Sequence, residues 1–331
     1  GLEALVNLRR GVMLDHLNRE EASIAAFEAA LDASPGSREP YAQILSHLVV
    51  GTPNLSFAER VFRRAQRQLT LAGIKAREIH IICLTHFHGD HCLGLPGVIQ
   101  RLSLDQVQHP VALVYPASGR HFLHRLLQAA IFHNRVRVEE YPVHEPGVIL
   151  SRPEFALSTL PLDHGVDTWG YRLQEPDSRT LIPSRLPGDI SGPAVGRLKK
   201  QGWVNSMQEG RIALEDVSVL KPGQSFALVL DTRVCANARL LAQNADLMLS
   251  EATYLDTESQ QAAAYKHMTA AQAAGIAAQA DAKNLVLSHY SQRYASIKPF
   301  AEQAGRIHPR VIAAVDGQRI DMPERTRSLQ G

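Results

Sequence analysis

Seven side chains in this sequence could together do metal chemistry: His86, His88, Asp90, His91, His164, Asp231 and His289. Four of them fall in one short run, Thr85-His-Phe-His-Gly-Asp-His91. On an extended segment His86 and His88, two residues apart, point the same way. Gly89 permits the tight turn that brings Asp90 and His91 after them. Neutral imidazoles and carboxylates suit zinc and similar divalent ions, and no CxxC pair is present to make a thiolate site. Seven donors exceed what one tetrahedral ion takes. The set predicts two ions sharing a carboxylate, an arrangement that can both activate water and hold the oxygens of a phosphoryl or acyl centre. For the local run by itself, a solvent-facing histidine-rich loop is the competing reading.

The elements that must position these groups are visible as apolar runs. His80-Ile-Ile-Cys-Leu84 leads into Thr85 and the cluster, and Phe155-Ala-Leu-Ser-Thr-Leu160 precedes Asp163-His164. Ser225-Phe-Ala-Leu-Val-Leu230 runs into Asp231, and Asn284-Leu-Val-Leu-Ser288 into His289, while Val111-Ala-Leu-Val-Tyr115 is a further strand-like run. Helical stretches intervene at 119–132, 236–245 and 259–280. Strands alternating with helices predict an α/β domain. Strand ends are where a layered fold can gather polar groups without burying them in its core.

The amino-terminal part reads differently. Residues 1–65 carry helical spacing: Leu5, Leu8 and Val12, then Ile24, Phe27 and Leu31 up to Pro35-Gly36. Ser23, Phe27 and Ala30 are echoed by Ala58, Phe62 and Ala65, and the first unit resembles a tetratricopeptide repeat. A short helical region with coincidental alanines is the alternative. Hydrophobic residues make up 45% of the 331 and the formal charge is only +2, so the composition does not call for a nucleic-acid partner but leaves room for a local basic surface. Cys83, Cys92 and Cys235 are widely spaced and odd in number, as expected of free thiols in a reducing compartment. No apolar run reaches membrane-spanning length and no signal peptide is evident, which makes a cytoplasmic protein without membrane attachment the expectation.

The HxHxDH core followed by a later His, Asp and His resembles the metallo-β-lactamase superfamily, and within it the longer match is to the ribonuclease Z family. That match includes Thr85–Gly97, His164–Pro176, Asp231-Thr-Arg233, Glu251-Ala-Thr253, His267-Met-Thr269 and Ser288–Tyr294, within residues 66–322. The resemblance implies an αββα sandwich over that range. It implies zinc-dependent cleavage of precursor tRNA after the discriminator nucleotide, leaving a 3′-hydroxyl. His86, His88 and His164 would bind one Zn2+, Asp90, His91 and His289 the other, with Asp231 bridging; Mn2+ or another divalent ion could substitute. Asp90 would also orient the attacking water. His267 would protonate the leaving oxygen and Glu251 would steer it. The weaker alternatives are a surface carboxylate at a strand end for Glu251 and an exposed residue at a helix start for His267.

Arg293, four residues beyond His289, is a candidate phosphate clamp helped by Ser291, since a guanidinium fork matches phosphate oxygens. A surface arginine on a capped loop is the alternative. Residues 177–219 resemble the family's tRNA-gripping arm, and Arg197, Lys199 and Lys200 could meet backbone phosphates there; a solvated connecting loop is the other reading. A homodimer is implied by the family, a protein partner is conceivable for the helical leader, and residues 323–331 form a polar tail.

Departures from the family pattern sit at the start. The opening strands are not recognisable before residue 66, so the sandwich is expected to lack them and to follow an all-helical segment. Leu230 stands where glycine usually precedes the bridging aspartate, and Ser250 where histidine often precedes Glu-Ala-Thr. The competing functions are hydrolysis of a small ester, lactone or phosphodiester at the same kind of site, and an inactive scaffold.

Overall fold

The computed structural model describes residues 69–129 and 131–325, together with Ala26 and Ala29, which are helical. Apart from those two residues, the segment expected to be tetratricopeptide-like and to lack the opening strands lies outside the described residues, as does the end of the tail.

Two sheets form the centre. The smaller holds β1 (Ile81–Cys83), β2 (Val111–Pro116) and β3 (Val138–Val143), all parallel, in the order β1-β2-β3. The larger is built from β4 (Gly147–Ser151), β5 (Ala156–Leu162), β6 (Thr168–Gln174), β11 (Ser225–Val229), β12 (Leu247–Glu251), β13 (Leu285–Ser288) and β14 (Val311–Ala313), in the order β14-β13-β12-β11-β6-β5-β4. Strands β11 to β14 are mutually parallel, whereas β6 is antiparallel to both β11 and β5. It follows that β5, β11, β12 and β13 run in one direction, and their carboxyl ends share one edge.

Strand alternation sorts the side chains into layers. On β2, Val111, Leu113 and Tyr115 pack towards the helices α2 (Leu95–Leu104) and α3 (Arg120–Leu127), which follow the one-turn α1 (Gly89–Cys92). Ala112 and Val114, between them, face the larger sheet and meet Leu150, Leu157, Trp169 and Tyr171. The outer side of the larger sheet buries Ala227, Val229, Met248, Leu285 and Leu287 against Leu241, Ile276 and Phe300. These last three sit on α5 (Ala236–Ala242), α7 (Ala270–Gln279) and α8 (Lys298–Gly305). The order is helix, sheet, sheet, helix. It is an αββα sandwich, as expected, over the described residues.

Residues 177–221 leave the sheet between β6 and β11. They open and close on an antiparallel ribbon of β7 (Ser178–Leu181) and β10 (Ser218–Lys221). Beyond it stand α4 (Pro193–Gln201) and the hairpin of β8 (Trp203–Ser206) with β9 (Gly210–Ala213), around a small core of Ile190, Leu198, Val204, Ile212 and Val217. This segment is far more regular than a connecting loop. The Gly/Pro punctuation marked its turns but hid the sparse apolar positions that hold it together.

The base of the ribbon is tight. A Cβ on Gly223 would come 2.0 Å from the Glu175 carbonyl oxygen, so only hydrogen fits where the two chains cross. Arg325 ties the tail to this crossing through Glu175 and the Pro222 carbonyl. Gly223→Ala is expected to force the chains apart and destabilise the domain by about 1–3 kcal/mol, read as a lowered denaturant midpoint. An unchanged midpoint would mean that the crossing yields freely.

Candidate metal centre

Five carboxyl strand ends deliver the candidate residues. β1 leads through Leu84 and Thr85 to His86 and His88, and α1 holds Asp90 and His91. β5 delivers His164, β11 delivers Asp231, β12 ends on Glu251, and β13 delivers His289. The loop after β1 is fixed from β6: Trp169 N–H donates to the Thr85 carbonyl (2.9 Å) and the Tyr171 hydroxyl to the Leu84 carbonyl (2.6 Å). Phe87, between two of the histidines, lies so close to Gly119 that a Cβ there would fall 2.0 Å from its ring.

All seven candidate ligands converge. His88 Nδ1 lies 2.9 Å from His86 Nε2 and 3.3 Å from His164 Nε2. Asp231 Oδ2 is 3.7 Å and 3.8 Å from those two Nε2 atoms, so these four residues form one group. Asp90, His91 and His289 form a second: His91 and His289 approach at 3.3 Å between Nε2 atoms, and Asp90 Oδ2 is 3.3 Å and 3.5 Å from them. Asp231 also faces this group, with Oδ2 3.3 Å from His91 and Oδ1 3.3 Å from His289. Both Asp231 and His289 take positive φ, 51° and 58°, a backbone conformation that non-glycine residues adopt mainly where the surroundings enforce it.

The donor chemistry fits a cation. The carbonyl of Lys266 can only accept, so His164 carries its proton on Nδ1 (3.1 Å) and turns a lone pair on Nε2 towards His88 and Asp231. The Thr253 hydroxyl donates to Glu251 Oε2 (2.7 Å) and so accepts from His289 Nδ1 (2.9 Å), which leaves the Nε2 lone pair of His289 facing Asp90 and Asp231. Thr85 Oγ1 meets the Nδ1 atoms of both His86 (3.0 Å) and His91 (3.4 Å). Asp231 Oδ1 is buried without a hydrogen-bond partner. Lone pairs and an orphaned carboxylate oxygen at such separations repel unless a positive charge lies among them.

Protonation points the same way. Burial, helped by the charge on His91, pushes His86 down to about 3, and burial also lowers His88 and His164. These rings are neutral near pH 7, the form that a metal ion requires. Burial alone would raise Asp90 and Asp231, but the neighbouring imidazoles, His289 and His91 at Asp90 and His91 at Asp231, hold both carboxyls below the usual range. His91 is pushed up to about 9: burial opposes this, and hydrogen bonds to Asp231 and Asp90 outweigh it. A divalent ion shared by the same carboxylates would displace that proton.

Beside the ligands sits a histidine of another kind. His267 Nδ1 is 3.1 Å from both oxygens of Glu251, and a ring nitrogen lies within 4.8 Å of ligand atoms of Asp231 and His289. Glu251 is fully buried and also accepts from Thr232 N–H (2.5 Å) and Met268 N–H (3.0 Å). It is no surface carboxylate. Burial would lower His267, but the hydrogen bond and charge of Glu251 raise its pKa. With Nδ1 occupied, Nε2 is the atom free to exchange a proton.

Arg293 is exposed. Its guanidinium lies 4.9 Å from the Tyr254 ring centroid, bonded to Gln261 Oε1 and 3.2 Å from Ser291 Oγ. Arg197, Lys199 and Lys200 are exposed on α4 around the buried Leu198; among the described residues, no hydrogen bond or ion pair joins them to the ligands. Ser250 is buried and donates to the Glu251 carbonyl, so it lies behind the site and not in it. Thr85, Thr253 and Lys266 have no role expected from the sequence. The two threonines had one available signal, their place beside a ligand or within the Glu-Ala-Thr run.

A layered fold that gathers histidines and aspartates at one sheet edge, with a separate buried-carboxylate histidine beside them, defines a metal-dependent hydrolase. The profile described as the metallo-beta-lactamase superfamily matches residues 35–204. Ribonuclease Z of Thermobifida fusca is 46% identical over 265 residues, covering 78% of this chain and 83% of that protein. Ribonuclease Z of Streptomyces avermitilis is 43% identical over 263 residues, 78% of this chain and 86% of its own. Among solved structures, the short form of human tRNase Z superposes with a TM-score of 0.55 at 22% identity, over 78% of this chain and 85% of that one. The chain belongs to the ribonuclease Z family of the metallo-beta-lactamase superfamily. Among the described residues no helix is long and apolar enough to cross a membrane.

Proposed function

We propose that the chain is an endoribonuclease that cleaves precursor tRNA after the discriminator nucleotide and leaves a 3′-hydroxyl. The observation that carries this reading is the His267–Glu251 couple set against the ligand cluster, in a chain 46% identical to a protein named ribonuclease Z. Hydrolysis of an RNA phosphodiester needs an activated water, charge stabilisation at the phosphate and a proton for the departing oxygen.

The donor sets favour two Zn2+ ions, since three imidazoles or mixed imidazole and carboxylate ligands suit that ion. His86, His88 and His164 would hold one, Asp90, His91 and His289 the other, and Asp231 would be shared. Bound there, the ions would polarise the phosphate and lower the pKa of water. The residues do the rest. Asp90, the more exposed of the two ligand carboxylates, orients the attacking water. His267 gives its Nε2 proton to the leaving oxygen while Glu251 holds Nδ1. Arg293, steadied by Gln261 and Ser291 above Tyr254, grips a neighbouring phosphate.

The basic face of α4 fits the RNA backbone at a distance from the cut. Replacing Lys199 and Lys200 together by alanine is expected to raise KM for precursor tRNA several-fold and to lower the salt slope of binding by about 2. Hydrolysis of bis(p-nitrophenyl) phosphate should not change. Loss of both activities would place these lysines in the fold instead. A homodimer is the proposed assembly, to be read from light scattering.

The test of the whole reading is cleavage of end-labelled precursor tRNA by the zinc-loaded protein. A single cut after the discriminator is expected. No cut by folded, zinc-loaded protein, with a small ester or diester turned over, would reassign the substrate.

A further inference from the structure

Lys266 occupies a position where its side chain is costly to keep. The short helix α6 (Ser259–Ala264) ends there, with Lys266 N–H bonded to the Ala263 carbonyl (3.3 Å) and His267 N–H to the Ala262 carbonyl (2.8 Å). This paired pattern closes a helix on a left-handed residue, usually glycine or asparagine. Lys266 has φ +55°. A lysine there is strained, and helix termination gains nothing from its side chain.

The side chain has a different engagement. Its Nζ donates to the His164 carbonyl (2.9 Å) and lies 3.5 Å from Asp163 Oδ1. The carbonyl of the same lysine accepts from His164 Nδ1 (3.1 Å). His164 is thus held at both ends by one residue: at its ring through the Lys266 backbone, and at its own backbone through the ammonium group. Asp163 is fixed in turn by Arg233 (2.6 Å). The next residue along the chain is His267, whose ring centroid is 5.0 Å from that of His164.

We propose that Lys266 is a positioning residue, a two-ended clamp that fixes the candidate ligand His164 and thereby the separation between the metal centre and the proton donor His267. The inference rests on the metal-centre and endoribonuclease readings above. Its test is separable from the second. Residues that orient a metal ligand change metal affinity or turnover by about 10- to 100-fold when lost.

Lys266→Gly and Lys266→Asn suit the left-handed turn, keep the backbone carbonyl that meets His164 and remove the ammonium group with its stem, so both proteins are expected to fold. The full chain and both variants are titrated with zinc against a chromogenic chelator, and kcat and KM are measured on precursor tRNA at two salt concentrations. The expected result is zinc held about 10- to 100-fold more weakly, a matching fall in kcat, and no change in KM or its salt dependence. Zinc affinity and kcat equal to those of the unaltered protein would overturn the clamp. So would a rise confined to KM that steepens with salt, which would make Lys266 a contact to RNA phosphate. If the unaltered protein does not cut precursor tRNA, the endoribonuclease reading fails while the zinc titration still decides the clamp.

Discussion

Asp231→Asn is expected to leave a folded protein that has lost about half or more of its bound zinc and about 10³-fold of its activity on precursor tRNA. Asp231 faces both candidate ligand groups, with Oδ2 3.3–3.8 Å from three histidines and Oδ1 without a hydrogen-bond partner. Asparagine keeps the shape and tolerates the positive φ of this position, so the change removes charge without adding backbone strain. The amide oxygen is a weaker ligand and cannot offset two cations. Metal analysis after gel filtration measures the loss directly. Thermal stability gives a second reading: zinc at ~100 times its Kd stabilises a one-site protein by about 2.7 kcal/mol, and the variant should gain much less from the same addition. Full zinc content and full cleavage would remove Asp231 from the centre.

His267→Ala should separate binding from chemistry. Loss of a positioned proton donor costs about 10²- to 10⁴-fold in rate, while zinc content and KM should stay close to those of the unaltered protein. The pH profile carries the sign. Burial works against His267, but Glu251 raises its pKa, so the donor form persists above the range of a free imidazole and is lost as pH rises through the raised value. The alkaline fall in kcat should therefore disappear in the variant. Equal cutting by both proteins would leave the endonuclease standing and take the donor role from His267.

What the sequence revealed and concealed follows from the physics of each element. The candidate ligands were legible because each ends or follows a short apolar run, and buried parallel strands read as continuous apolar stretches. The break at residues 265–269 was not. Alanines continue through 259–280, and a lysine in a left-handed turn carries no local sign of a helix end. β3, with Glu139, Glu140 and Pro142, is polar because much of it is only half-buried, so its pairing with β2 comes from tertiary contact and not propensity. The role of Glu251 could be named but not its burial, which depends on four donors from three separate segments. Thr85 and Thr253 stayed silent because a threonine beside a candidate ligand looks like any other until its hydroxyl is seen to meet the ring nitrogens.

The strand-end placement of the ligands also bears on how the molecule comes together. His91 and His289 meet at 3.3 Å although 198 residues separate them in sequence, and the other ligands enter at intervals between. Such closure is of high contact order, so no early folding nucleus made of local contacts can contain the finished centre. Two ions seated there would join the first described strand to the second-last, acting as a reversible cross-link formed after the sheets have paired. Release of such ions would thus report the parting of β1 from β13 and not only the chemistry of the candidate ligands.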